Sequence, residues 1–222
     1  MLQLVYKDVF FFRVTWLVNI IMPIMMFALE PNGETVFPIS CLLITLSSAM
    51  VLIAMDERNK SEIVLNSLPV RRRDIIIARY ISCVIFIAVG MIATMVAVWL
   101  IRGIASIDNI GVYHPNLYIE IPWYVVLRGV VFSFVFIATL FPSYYGTKSK
   151  VMQGILTGGS MTLAVIIGIF IDERQNRTAA SFIDWIMNPS HIGVFIVGVI
   201  ILASIYIISM FITIKIYETR DL

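Results

Sequence analysis

Six apolar stretches of bilayer-crossing length, separated by short polar segments, leave this chain few ways to fold. They cover about 14–29, 36–55, 81–101, 122–141, 151–171 and 191–214, and a helix needs about 20 apolar residues to cross the hydrocarbon core. Of the 222 residues, 60% are hydrophobic and only 14% are charged, which excludes an ordinary water-soluble domain. Six such helices fill more than half of the chain and leave no room for a soluble catalytic domain. The pattern predicts an all-α integral membrane protein with one transmembrane domain over 1–222.

Net charge is only +2, so the placement of the positive residues carries the information. With both termini on one side, that side holds Lys7, Arg13, the six Lys and Arg residues between 56 and 79, Lys148, Lys150, Lys215 and Arg220, twelve in all. The other side holds Arg102, Arg174 and Arg177, while Arg128 falls within the fourth stretch. Positive residues accumulate on the cytoplasmic side of membrane proteins, so both termini and the 56–79 segment are expected there.

That segment, Asp56 to Arg79, is the longest polar run in the chain. Residues 56–66 contain no Gly or Pro and place Ile63, Val64 and Leu65 beside Glu57, Arg58, Lys60 and Glu62, which reads as a short polar helix. Leu68-Pro69 ends it, because proline has no amide proton and disfavours helical geometry in the residue before it. Arg71, Arg72 and Arg73 follow, and Asp74 lies where an acid favours the start of the next helix. Composition alone is equally consistent with a solvated turn that carries only the topology signal.

These residues resemble the permease subunits of ATP-binding cassette transporters of the type-2 class, in particular the short bacterial six-span forms. The resemblance rests on Asp56-Glu57, then Ser67-Leu68-Pro69-Val70, then Arg71 to Arg73, then Arg79 ahead of the third span. It implies that the segment is a coupling helix, cytoplasmic and docked in a cleft of a separate ATPase subunit. Its contact residues would be Asp56, Glu57, Arg58, Lys60, Glu62, Leu65, Leu68, Pro69, Arg71, Arg72 and Arg73. ATP and Mg would be bound by that partner and no cofactor by this chain, which would work in a cell membrane as a homo- or heterodimer of permeases. The cargo implied is an amphipathic peptide, such as a toxin or antimicrobial, or another amphiphile.

The rest of the chain adds local features. Leu2, Val5, Tyr6 and Val9 lie at helical spacing, which suits either an interfacial helix before the first span or a simple extension of that span. Asn19 and Pro23 interrupt the first span and, with Arg128 in the fourth, are candidates for a pathway or gate. Arg128 reads alternatively as an arginine reaching back to the interface. Ser40, Thr45, Ser47, Ser48 and Ala49 form a small, hydroxylated region suited to close helix packing. Gly154 and Gly158 form a G-x-x-x-G pair for packing within the subunit or across a dimer. Residues 182–187, Phe-Ile-Asp-Trp-Ile-Met, are too few to span, and read as a re-entrant or interfacial outer helix between spans five and six.

Chemistry that is absent narrows the function. The sequence has no G-x-x-x-x-G-K-[ST] loop for nucleotide, no H-E-x-x-H and no G-x-S-x-G. Two histidines and two cysteines, Cys41 and Cys83, each inside a predicted span, make neither a metal site nor a disulfide framework. The sequence therefore leads to a non-enzymatic permease driven by a partner ATPase. The alternative is a membrane scaffold or sensor that recruits a cytoplasmic partner through the same segment.

Overall fold

The computed structural model describes residues 2–29, 33–58, 71–105, 123–147, 149–170 and 192–219. Every regular element among them is a helix: α1 (Leu2–Leu29), α2 (Gly33–Arg58), α3 (Arg72–Ala105), α4 (Trp123–Gly146), α5 (Lys150–Phe170) and α6 (Ile192–Glu218). Four contain segments long and apolar enough to cross a membrane: Phe37–Arg58, Arg72–Gly103, Val125–Gly146 and Ile196–Glu218. The expected outer helix between the last two spans, and Lys60, Glu62, Leu65, Leu68 and Pro69 of the coupling segment, lie outside the described residues.

Several helices extend beyond the stretches that hydropathy marks. α3 has 34 residues, about 51 Å at 1.5 Å per residue, against a hydrocarbon core of about 30 Å. Its first turns are polar and helical, beginning at Arg72 where the Asp74 amide closes a 2.9 Å turn onto the Arg71 carbonyl. α1 runs unbroken from Leu2 to Leu29, so the N-terminal residues and the first apolar stretch form one continuous helix. No Gly or Pro precedes Pro23 to separate an interfacial piece from the rest.

The chain divides into two compact units, Met1–Ser133 and Phe134–Asp221, with the boundary inside α4. In the first unit α2 is central: 61% of its apolar window is buried. One stripe of α2 meets α4, where a Cβ on Gly129 would stand 3.2 Å from Pro38 Cα and 3.3 Å from Cys41 Cβ. Another stripe meets α3, where a Cβ on Gly90 would stand 3.3 Å from Ile44 Cγ2. Glycine at these two places lets helices approach to a distance that larger residues would hold open. Two buried hydroxyls of the seam are satisfied by their own helices: Thr45 donates to the Cys41 carbonyl and Ser133 to the Gly129 carbonyl, both at 2.9 Å, whereas Ser40 Oγ and Ser48 Oγ have no hydrogen-bond partner among the described residues. Cys41 Sγ and Ser133 Oγ then meet across the seam at 3.6 Å, so the small hydroxylated region of α2 is packing surface.

In the second unit α6 packs through a narrow stripe, Ser209, Thr213 and Tyr217, spaced four residues apart and buried. Tyr206 meets Phe134 edge-on at 5.0 Å, and Tyr217 meets Tyr145 edge-on at 5.3 Å. The rest of α6 is exposed isoleucine, valine and phenylalanine, as expected of a helix apolar all round whose solvent is lipid. On α5, Gly154, Gly158 and Gly159 have no atom of the described residues within 4 Å of where a Cβ would stand.

Candidate functional site

The polar cluster of the first unit lies where α2 enters, and α3 leaves, the 59–70 segment. Asp56 is in the last turn of α2 and Arg79 is two turns into α3; both are at least 95% buried. The Arg79 guanidinium pairs with Asp56 Oδ2. Lys7 Nζ of α1 stands 3.3 Å from the other oxygen of Asp56 and 3.5 Å from Asp8 Oδ1. The Ser82 hydroxyl of α3 reaches Asp8 Oδ2 at 3.3 Å and donates to the Ala78 carbonyl at 2.9 Å. Three helices are thereby joined by one chain of charges.

Each of these charges is buried because its position is fixed by an apolar helix face. Asp56 follows Leu52 and Ile53 on the buried side of α2, and Arg79 lies between Ile75, Ile76 and Cys83 on that of α3. A buried carboxylate is tolerated only with opposite charge and hydrogen bonds around it. With all four groups ionised the cluster sums to zero. Asp8 is the group most disturbed: burial pushes its carboxyl above the ordinary range, with Arg79 and then Lys7 acting against that shift.

Outside this clamp the segment's ends are exposed. Arg58, Arg71 and Arg73 face solvent, as does Glu57, while Arg72 is half-buried. Of the residues that the resemblance assigns to ATPase contact, Asp56 is therefore turned into the helix cluster. Lys7, which the sequence marked only as a topology charge, and Asp8, which it did not single out, complete its surroundings. The signal for them is present in hindsight: adjacent opposite charges in an otherwise apolar helix cancel each other in any composition count.

The three pathway candidates fall on two helices. Asn19 and Pro23 are buried on α1, one turn apart, so the proline removes the helical donor that would have served the Asn19 carbonyl. Arg128 is 7% exposed and on α4. Among the described residues no group of three or more His, Cys, Asp or Glu side chains is arranged to hold a metal, and Cys41 and Cys83 are buried and unbridged.

Compared with known families, residues 3–218 match the family described as ABC-2 family transporter protein. No curated protein and no solved structure matches the chain.

Proposed function

Because the chain belongs to the ABC-2 family of transporter proteins, a family of membrane components that work with a cytoplasmic ATPase, we propose that it is the permease half of an ATP-driven exporter and that the 56–79 segment takes work from that ATPase. The observation that carries this reading is the Asp56–Arg79 pair with Lys7 alongside. It ties together the two helices that flank the segment and adds a third. A push on 59–70 is then delivered to α1, α2 and α3 as one body, instead of being dissipated in a slack loop.

On this reading both termini and the segment are cytoplasmic in a bacterial plasma membrane, and two permeases form the pathway. The cargo is an amphipathic peptide or similar amphiphile, in keeping with apolar helices that carry few internal charges. ATP binding drives transport only if the ATPase holds the segment differently in its two states. The test is replacement of Glu57 or Leu68 by alanine in the purified complex. Cargo-stimulated ATP turnover, or assembly with the ATPase, should fall several-fold while membrane insertion is unchanged. Full stimulation in both variants, or a copurifying partner without nucleotide-binding motifs, would refute the reading.

A further inference from the structure

The buried members of the α1–α2–α3 clamp are two acids and one cation. Asp8, Asp56 and Arg79 are each at least 95% buried, while Lys7, the fourth member, keeps 31% of its side chain exposed, so that water still carries part of its charge. Asp56 has the stronger hold on the cations: Arg79 pairs with one of its oxygens and Lys7 stands 3.3 Å from the other. Asp8 has the longer approach, 3.5 Å, to that same ammonium. An ionised carboxylate buried on those terms is costly, and a bound proton removes the cost.

The second contact of Asp8 is arranged for that proton. Ser82 Oγ lies 3.3 Å from Asp8 Oδ2 and 2.9 Å from the Ala78 carbonyl. A hydroxyl has one proton and two lone pairs. The shorter bond, back to the carbonyl four residues earlier, commits the proton and leaves a lone pair toward Asp8. A protonated carboxyl can donate to it, and a carboxylate cannot. Facing Asp8 are Lys7 on its own helix, Asp56 on α2, and Arg79, Ser82 and the Cys83 thiol on α3. Burial acts in the same sense, raising the affinity of Asp8 for the proton against the pull of Arg79 and then Lys7.

We propose that Asp8 and Ser82 form a proton-binding site, occupied while α1 is seated against α2 and α3, and that release of the proton unseats the start of α1. On release Asp8 becomes a second buried anion beside Asp56, and the Lys7 ammonium, carried on a flexible stem, is drawn from Asp56 to its neighbour. A contact that ties α1 to α2 is then lost, and Asp8 turns with Lys7 toward water. The proton leaves to, and returns from, the water that already wets Lys7. The consequence for transport rests on the reading of the clamp as the joint that carries the push of an ATPase: the joint is firm at lower pH and slack at higher pH. The switch itself belongs to the isolated chain, so its failure would leave the transporter reading intact, and loss of coupling to an ATPase would leave the switch standing.

The experiment takes infrared spectra of the full chain, purified in neutral detergent, and follows the C=O stretch that a protonated carboxylic acid shows and a carboxylate does not. As pH is raised, part of that band should persist beyond the range in which exposed Asp and Glu ionise, and Asp8→Asn should remove the persistent part. Ser82→Ala, which takes away the acceptor, should move the loss of the band to lower pH by about half a unit to one unit, the worth of one hydrogen bond. Spin labels on Tyr6→Cys of α1 and Arg58→Cys of α2, both exposed positions, report the seating of α1, since the native Cys41 and Cys83 are buried. The distribution of distances between the labels should be narrow while the band is present and broaden as it is lost, in the otherwise wild-type chain and not in Asp8→Asn. The wild-type and Ser82→Ala measurements stand even if Asp8→Asn fails to fold. A persistent band that survives Asp8→Asn overturns the proposal, as does a midpoint that fails to fall in Ser82→Ala. So does a label distribution unmoved by loss of the band.

Discussion

Ser209 of α6 donates its hydroxyl at 2.6 Å to the carbonyl of Ala138 on α4, and that carbonyl is the one Pro142, four residues on, leaves without a helical donor. A buried carbonyl with no partner is costly in an apolar surround. The hydroxyl from the neighbouring helix meets the need, and α4 continues through its proline to Gly146. Beyond it, Gln153 donates its amide to the carbonyls of Tyr144 and Thr147 at 3.2 and 2.9 Å, closing the end of the helix.

Removal of that hydroxyl should therefore be felt, and its effect should depend on the proline. Ser209→Ala is expected to cost about 1–2 kcal/mol, the value of a buried hydrogen bond in such a setting. Pro142→Ala returns an amide proton to the helix, so the double variant should recover most of the loss. Thermal unfolding in detergent, read from the four tryptophans, gives the cycle; strictly additive effects would show that the two residues do not serve the same carbonyl.

The Asp56–Arg79 pair makes a prediction with two readouts. Asp56→Asn leaves the Arg79 charge buried and partly uncompensated and should cost about 3–5 kcal/mol. Asp56→Leu combined with Arg79→Met removes both charges and should restore most of the stability, because apolar replacements of a buried pair are often close to neutral. If the pair also fixes how movement is transmitted, the double variant will melt near wild type yet couple ATP turnover poorly. Normal coupling in that stable variant would leave the pair a purely structural role.

Asp8 gives the pH dependence. Its carboxyl binds a proton more tightly in the folded chain than at the ordinary value of 3.8. Native chains then hold more protons than unfolded ones across the interval above that value. The stabilising effect of the proton is fully present below the unfolded pKa and is lost as pH rises through the folded pKa. The geometry agrees, since one Ser82 proton faces both the Ala78 carbonyl and Asp8, and a protonated Asp8 can donate back to Ser82. Asp8→Asn abolishes the titration. Its melting temperature relative to wild type should therefore rise as pH is raised above about 4, and a pH-independent difference would refute the assignment.

Much of the fold was legible because hydropathy reports the part of a helix that lipid must cover. It marked the third apolar stretch from 81, whereas α3 begins at Arg72, since a polar helix end looks like a loop to a hydropathy window. Only Asp74, an acid placed for a helix start, hinted otherwise. Pro142 likewise read as the opening of a loop; the bond from Ser209, 71 residues away, is what keeps it helical. The clamp was half legible. Asp56 and Arg79 stood out as charges at the edges of apolar runs, but their partner Lys7 is 49 residues from Asp56, and no local pattern encodes a contact of that range.

The glycines separate packing from free surface. At Gly129 an added methyl would meet the Pro38 backbone at 3.2 Å and Cys41 Cβ at 3.3 Å, neither of which can rotate away. Gly129→Ala should therefore push α2 and α4 apart and cost about 1–3 kcal/mol, as overpacking usually does. At Gly90 the nearest atom is the Cγ2 of Ile44 at 3.3 Å, the end of a side chain, so Gly90→Ala should cost less. Gly158 has open space around it among the described residues, and Gly158→Ala should leave the isolated chain unchanged or raise its stability by up to about 1 kcal/mol through helix propensity. Melting temperatures of the three variants in one detergent test that ordering. A loss at Gly158 as large as that at Gly129 would mean that α5 already packs through its G-x-x-x-G face in solution, and self-association measured by crosslinking would then fall in the same variant.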